Sequence, residues 1–227
     1  MIIRTVDLET TGLEPTDAIV EAGWTDVECD MGGNVAMVGP TMSYLVNPGR
    51  PIPPQASAIH HITDRDVEHA EPAADVLTRM GDGADIFASF GADFDRMFFG
   101  GGDKRWICIR KASIWSFRDC PAHSNQCLRY WLKLDLAGQP VMPPHRAGPD
   151  SCVSAHILAR LLETVPIETL TGWTDKPVLL IRCGFGKHIG TPWSDVPTGY
   201  LEWILKQDFD RDTMFTARHF LKVHGRR

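Results

Sequence analysis

The sequence predicts an α/β fold: a mixed β-sheet flanked by helices, with a small strand-and-helix module at the C-terminal end. Two observations predict it. Three strand-like runs open the chain, with a turn signal between the second and the third. Beyond them, helical and strand-like segments alternate, the order that lays helices over a sheet.

The elements follow in order. Residues 2–9 begin with the apolar run Ile2 to Val6 and read as the first strand. Residues 19–28 and 37–46 read as the next two, and Gly32-Gly33-Asn34 between them marks a hairpin. Residues 47–54 are rich in Pro and Gly and read as loop. Residues 55–62 and 72–80 read as short helices, 85–90 as a brief strand, and 94–99 as a helix stopped by Gly100-Gly101-Gly102. A strand over 106–109, a helix over 125–132 and a loop over 138–144 come next. Residues 150–162 carry Val153, Ile157, Leu158 and Leu161 at helical spacing and end before Pro166. Pro149 fits the first turn of that helix, which places Asp150 there. Pro166, Gly172 and Pro177 mark 166–177 as a linker between a domain over 1–165 and a second over 178–227. In the second, 178–183 reads as a strand, and 200–206 and 213–223 as helices.

Composition bounds the class. The chain has 227 residues, enough for a sizeable core, and an ordinary soluble balance of residue types. The N-terminal residues lack a basic-then-apolar leader, and no apolar run reaches about 18 residues, so the expectation is a cytoplasmic protein without a membrane partner. None of the six cysteines forms C-x-x-C or zinc-finger spacing, which points to reduced, mostly structural thiols. Net charge is −6, distributed unevenly. Residues 1–175 hold 14 Lys/Arg and 24 Asp/Glu, a net of −10, whereas 176–227 hold 9 and 5, a net of +4. An acidic body with a basic tail suits a metal site joined to a surface that holds a polyanion.

Chemistry enters with Asp7 and Glu9. Residues two apart on a strand point to one face, so these carboxylates lie side by side. They repel unless a cation sits between them, and hard oxygen ligands suit Mg²⁺ or Mn²⁺. Further along come Asp95, then His145 and Asp150 at a spacing of five. Four carboxylates and a histidine suit two-metal phosphodiester chemistry, with ions about 3.5–4 Å apart clamping the attacking and leaving oxygens. A histidine titrates near neutral pH and suits a general base.

The order D-x-E, then Phe-Asp at a helix start, then H-x-x-x-x-D resembles the DEDDh 3′–5′ exonucleases (DnaQ-like), which have a ribonuclease H-like fold. Within that family the exonuclease X branch is most similar. Ala58 to Thr63, Trp106-Ile107-Cys108, and His145-Arg146-Ala147 with Asp150-Ser151-Cys152 also fit. So do Phe185 to Gly190, Trp193 to Pro197, and Tyr200 to Trp203 in the tail. The resemblance covers nearly the whole chain. It implies that Asp7, Glu9, Asp95 and Asp150 ligate two Mg²⁺ or Mn²⁺ ions, that His145 is the general base, and that DNA 3′ ends, single-stranded, frayed or mismatched, release nucleoside 5′-monophosphates. It places Thr10, Thr11, Gly12, Leu13 and His60 at the terminal nucleotide. Leu13 is read either as a wedge against the last base or as core, and His60 as a substrate contact or as structural. The family's His-Asn pair ahead of the third motif is replaced here by Phe90-Gly91, and Phe90 is read as a stacking contact or as core. Of Asp93 and Asp95, Asp95 follows Phe94 as the motif requires. In the tail Lys187, Arg182 and His188 are assigned to phosphate, and Trp193, Tyr200 and Trp203 to bases or to a shared core. The resemblance leaves open a homodimer or a polymerase or repair association, an exoribonuclease, and a non-catalytic module that holds ends. Gly186-Lys187 is not a P-loop, because the rest of that pattern is absent.

Overall fold

The computed structural model describes residues 1–225. Along the chain the elements are β1 (Ile2–Thr10), β2 (Ile19–Cys29), β3 (Val35–Asn47), α1 (Pro54–His60), α2 (Asp64–Val67), β4 (Glu71–Pro72), α3 (Ala73–Gly81), β5 (Ile86–Ser89), α4 (Ala92–Phe99) and β6 (Arg105–Cys108). They continue with α5 (Ile109–Ser116), α6 (Asn125–Trp131), α7 (Ala147–Leu162), α8 (Ile167–Thr174), α9 (Thr198–Ile204) and α10 (Arg211–His224). Two compact units result: Met1–Ala112 with Cys120–Thr174, and Ser113–Asp119 with the chain from Asp175 onward. Among the described residues no helix is long and apolar enough to cross a membrane. All six cysteines are free thiols.

The first unit is a six-stranded mixed sheet in the order β4-β3-β2-β1-β5-β6. β1, β2 and β3 form the antiparallel meander, while β5 and β6 run parallel to β1. The hairpin at Gly32-Gly33-Asn34 is formed, with Gly33 at φ +88°. β2 is central and buried almost throughout, because helices cover both faces of the sheet. On one face Val6, Leu8, Ala22, Trp24 and Phe87 pack with Val76 and Met80 of α3. On the other, the Thr5 hydroxyl donates to the Thr25 carbonyl, and the Thr25 hydroxyl bonds the Ser151 hydroxyl of α7. That alternation puts Asp7 and Glu9 on the α7 face.

Two expectations fail. The expected linker 166–177 contains α8, whose Ile167, Leu170 and Thr174 are buried. The Thr174 hydroxyl accepts the Cys108 N–H, and its carbonyl accepts Lys111 Nζ, so tertiary contacts override the Pro and Gly signals. The strand expected over 178–183 is absent apart from one bridge, Arg182 to Pro192. Two of its amides are taken by side chains, Val178 N–H donating to Asp212 and Leu180 N–H to Thr216, and Cys183 N–H donates to the Thr191 carbonyl. The second unit closes its core with Cys183, Trp193, Val196, Leu201, Ile204 and Ala217. Trp193 is wholly buried, so it is core and not a base-stacking surface.

Candidate active site

The site forms where β1 outruns β5. The parallel pairing ends at Thr5 with Ala88, so Asp7 and Glu9 project beyond it. After β5 the chain turns through Phe90-Gly91 into α4, whose first turn carries Asp95. α7 brings Asp150 in its own first turn. Carboxylate oxygens of Asp7, Glu9 and Asp150 lie within 4.8 Å of one another. Asp95 and His145 join them along one cleft of about 320 Å³, which Phe90 and Asn125 also line. Asp93 instead turns to Lys111 at 3.7 Å with a largely exposed side chain.

Local structure aims the histidine. His145 has φ +59°, a left-handed conformation uncommon outside glycine. Its N–H donates to Asp150 Oδ2 at 2.7 Å, which ties the loop to the helix. Asn125 Nδ2 donates to the Asp150 carbonyl at 3.0 Å, holding α6 to the same turn.

A second hollow of about 420 Å³ adjoins the first through Leu8, Glu9 and Phe94. Thr10, Thr11, Gly12, Leu13 and His60 line it. The Thr10 hydroxyl donates to the Gly12 carbonyl at 2.6 Å, and Thr11 Oγ1 accepts the Ala18 N–H at 3.0 Å. A Cβ on Gly12 would stand 2.4 Å from the Asp17 carboxylate, so a larger residue there would push the Asp17 side chain away. Leu13 is 78% exposed, which removes it from the core. His60 is buried, and its Nδ1 accepts the Ile62 N–H at 3.0 Å. Lys187 belongs to the second unit.

Electrostatics separates the acids. Burial first, then repulsion from Asp95, Glu9 and Asp150, drives the Asp7 carboxyl well above the usual range. Burial, then Asp150 and Glu21, pushes Glu9 up to about 8. Burial pushes Asp95 up to about 7 and raises Asp150 as well. These shifts mark negative charge that the protein itself leaves uncompensated. Oxygen donors in such a cluster fit one hard divalent cation or more.

Glu21, directly opposite Glu9 in the β1–β2 register, behaves in the opposite way. Burial raises it, but Arg146, the Ala147 N–H and Ser43 outweigh burial and hold it below its ordinary value. Arg146 donates through Nε and a terminal nitrogen, both at 2.8 Å. Ala147 N–H donates at 3.0 Å and Ser43 Oγ at 2.8 Å. This buried anchor fixes the residues next to His145. Sequence reasoning missed Glu21, Arg146 and Asn125. The available signals were an acid inside the apolar run Ile19 to Ala22, and an arginine adjoining the candidate base.

The geometry agrees with the comparisons. The exonuclease family profile (RNase_T) matches residues 5–158. Exodeoxyribonuclease 10 of Escherichia coli K12 is 32% identical over 230 residues, covering 97% of this chain and 99% of that protein. A DNA polymerase III subunit epsilon-like protein of Rhodobacter capsulatus is 32% identical over 73% of this chain but only 24% of its own length. Exonuclease X in complex with 5′ overhanging duplex DNA superposes with a TM-score of 0.66 at 31% identity, over 76% of this chain and 99% of that one. The nuclease domain of 3′hExo, a DEDDh family member bound to rAMP, shares the fold (TM-score 0.54, 20% identity, 71% and 92% coverage). With its acids in the DEDDh order and one cleft gathering them, the chain belongs to the exonuclease family, as a member similar to exonuclease X.

Proposed function

We propose that the protein is a divalent-metal-dependent 3′–5′ exodeoxyribonuclease that releases nucleoside 5′-monophosphates from single-stranded, frayed or mismatched 3′ ends. One observation carries the reading: Asp7, Glu9, Asp95, Asp150 and His145 share a single cleft. The four carboxylates would hold Mg²⁺ or Mn²⁺, a pair of ions in the usual arrangement, supplying charge neutralisation and polarisation of the scissile phosphate. His145, fixed through Asp150, takes a proton from the attacking water. Attack breaks the bond between phosphorus and the 3′ oxygen, which leaves with the shortened strand. The hollow lined by Thr10, Thr11, Gly12, Leu13 and His60 seats the terminal nucleotide, and exposed Leu13 presses on the last base. The chemistry resides in the first unit. The DNA preference draws on exodeoxyribonuclease 10 and on exonuclease X with its duplex DNA.

The test is digestion of a 5′-labelled single-stranded DNA with Mg²⁺, beside its RNA counterpart and a 3′-blocked copy. The expected result is a DNA ladder that shortens from the free 3′ end, weaker on RNA, and abolished by EDTA or by the block. Internal cutting of the blocked strand, or no ladder on either polymer, would overturn the reading.

A further inference from the structure

The second unit carries an aromatic and basic surface at the margin of its core, where Tyr200 packs against the buried cluster and Trp203 lies outside it. Its buried cluster is Cys183, Trp193, Val196, Leu201, Ile204 and Ala217, with Phe185, Tyr200 and Phe209 among the partly buried side chains packed against it. Trp203 on α9 lies outside that cluster and is 43% exposed. It stacks on Tyr200, with ring centroids 5.0 Å apart and planes 24° from parallel. The segment Gly186–His188 is laid against the same tyrosine. Gly186 has φ +62°, and a Cβ there would stand 2.4 Å from the Tyr200 hydroxyl oxygen. That close approach places Lys187 Nζ 5.4 Å from the Tyr200 ring centroid and the His188 ring 4.6 Å from it. Side chains from two separate segments therefore meet as a cation, an imidazole, a phenol and an indole on one surface.

Trp203 stays 43% exposed although Tyr200 stacks on it and Phe209 meets it edge-on with ring centroids 5.9 Å apart, so part of the indole remains open to a partner. A neighbouring ammonium restricts the partner to something that is flat and anionic at once. Charge points the same way: residues 176–227 carry +4 while the rest of the chain carries −10. Unpaired nucleobases on a phosphate backbone have this chemistry, and duplex bases do not expose their faces. Glu202 and Asp208 are exposed on the same stretch of chain. They disfavour tight tracking of a long backbone and favour stacking with few phosphate contacts.

We infer that the second unit is a single-stranded polynucleotide-binding module, in which Trp203, backed by Tyr200, stacks an unpaired base while Lys187 holds an adjacent phosphate. The inference is independent of the hydrolysis reading, because it concerns binding without chemistry.

The experiment uses the full chain in EDTA, so that nothing is cut, and follows the fluorescence anisotropy of a labelled oligothymidylate. Trp203→Ala is expected to weaken binding about tenfold, and Trp203→Phe to retain most of it. Lys187→Ala is expected to lower the slope of log affinity against log salt by about one. Circular dichroism reports whether Trp203→Ala is folded. If it is not, the Lys187→Ala salt slope decides. Affinity within about twofold of wild type for Trp203→Ala, or an unchanged salt slope for Lys187→Ala, would overturn the inference. Equal affinity for blunt duplex and single strand would do so as well. Wild-type hydrolysis of a dinucleotide in Mg²⁺, measured separately, tests the catalytic reading without touching this one.

Discussion

Glu9 and Glu21 sit opposite each other on neighbouring strands, yet their charges are handled in contrary ways. Arg146 spends its fork on Glu21, so Glu9 keeps an uncompensated charge for an ion to satisfy. Replacing Glu21 by Ala would leave the Arg146 guanidinium and the Ala147 N–H without that acceptor. The expected cost is about 2–3 kcal/mol of stability, read by chemical denaturation. Turnover should fall at least about tenfold, or 1.4 kcal/mol of barrier, as the segment next to His145 loses its anchor. Unaltered turnover would remove Glu21 from any positioning role. Asp7 and Glu9 were legible in the sequence as an alternating pair on one strand, and Asp95, His145 and Asp150 through the resemblance of their order to the exonuclease family. The Glu21–Arg146 pair was not, since its members stand 125 residues apart and each alone reads as ordinary.

At the scale of elements, the site depends on how closely α7 approaches the sheet. Gly23 of β2 permits it: a Cβ there would lie 2.3 Å from the Ala147 carbonyl carbon, and backbone cannot yield as a side chain tip can. Gly23→Ala should therefore displace the first turn of α7 and Asp150 with it. The expected loss is about 1–3 kcal/mol of stability together with most of the hydrolytic activity, checked by melting and by ladder assays on the same preparation. Retained activity at wild-type stability would show that α7 has slack. Element types were legible where periodicity was strong, as in the opening meander and α7. α8 was hidden because Pro166, Gly172 and Pro177 punctuate it, whereas burial of Ile167 and Leu170 decides its state. The false strand at 178–183 has the opposite cause. Its apolar pattern was real, but among the described residues only one bridge, Arg182 to Pro192, pairs with it, and Asp212 and Thr216 take the Val178 and Leu180 amides.

For the whole molecule, charge sets a pH dependence. Folded Glu9 and Asp95 titrate at about 8 and about 7, above their unfolded values, and Asp7 and Asp150 are raised too. A raised carboxyl contributes stability that is present in full below its ordinary value of about 4 and is lost as pH climbs through the folded value. The metal-free protein therefore loses the Asp95 contribution as pH climbs through about 7 and the Glu9 contribution as it climbs through about 8. A divalent ion must displace the same protons, so its stabilisation grows over that range. The rise in melting temperature on adding Mg²⁺ should be larger at pH 8 than at pH 6; the reverse order would contradict the ligand assignment. The most direct test of the central claim is the rate at which an Asp7→Asn variant, shown to be folded by circular dichroism, shortens 5′-labelled single-stranded DNA in Mg²⁺. The account predicts a loss of about a thousandfold or more, about 4 kcal/mol of barrier. Hydrolysis at the wild-type rate would mean that the chemistry happens somewhere other than this cleft.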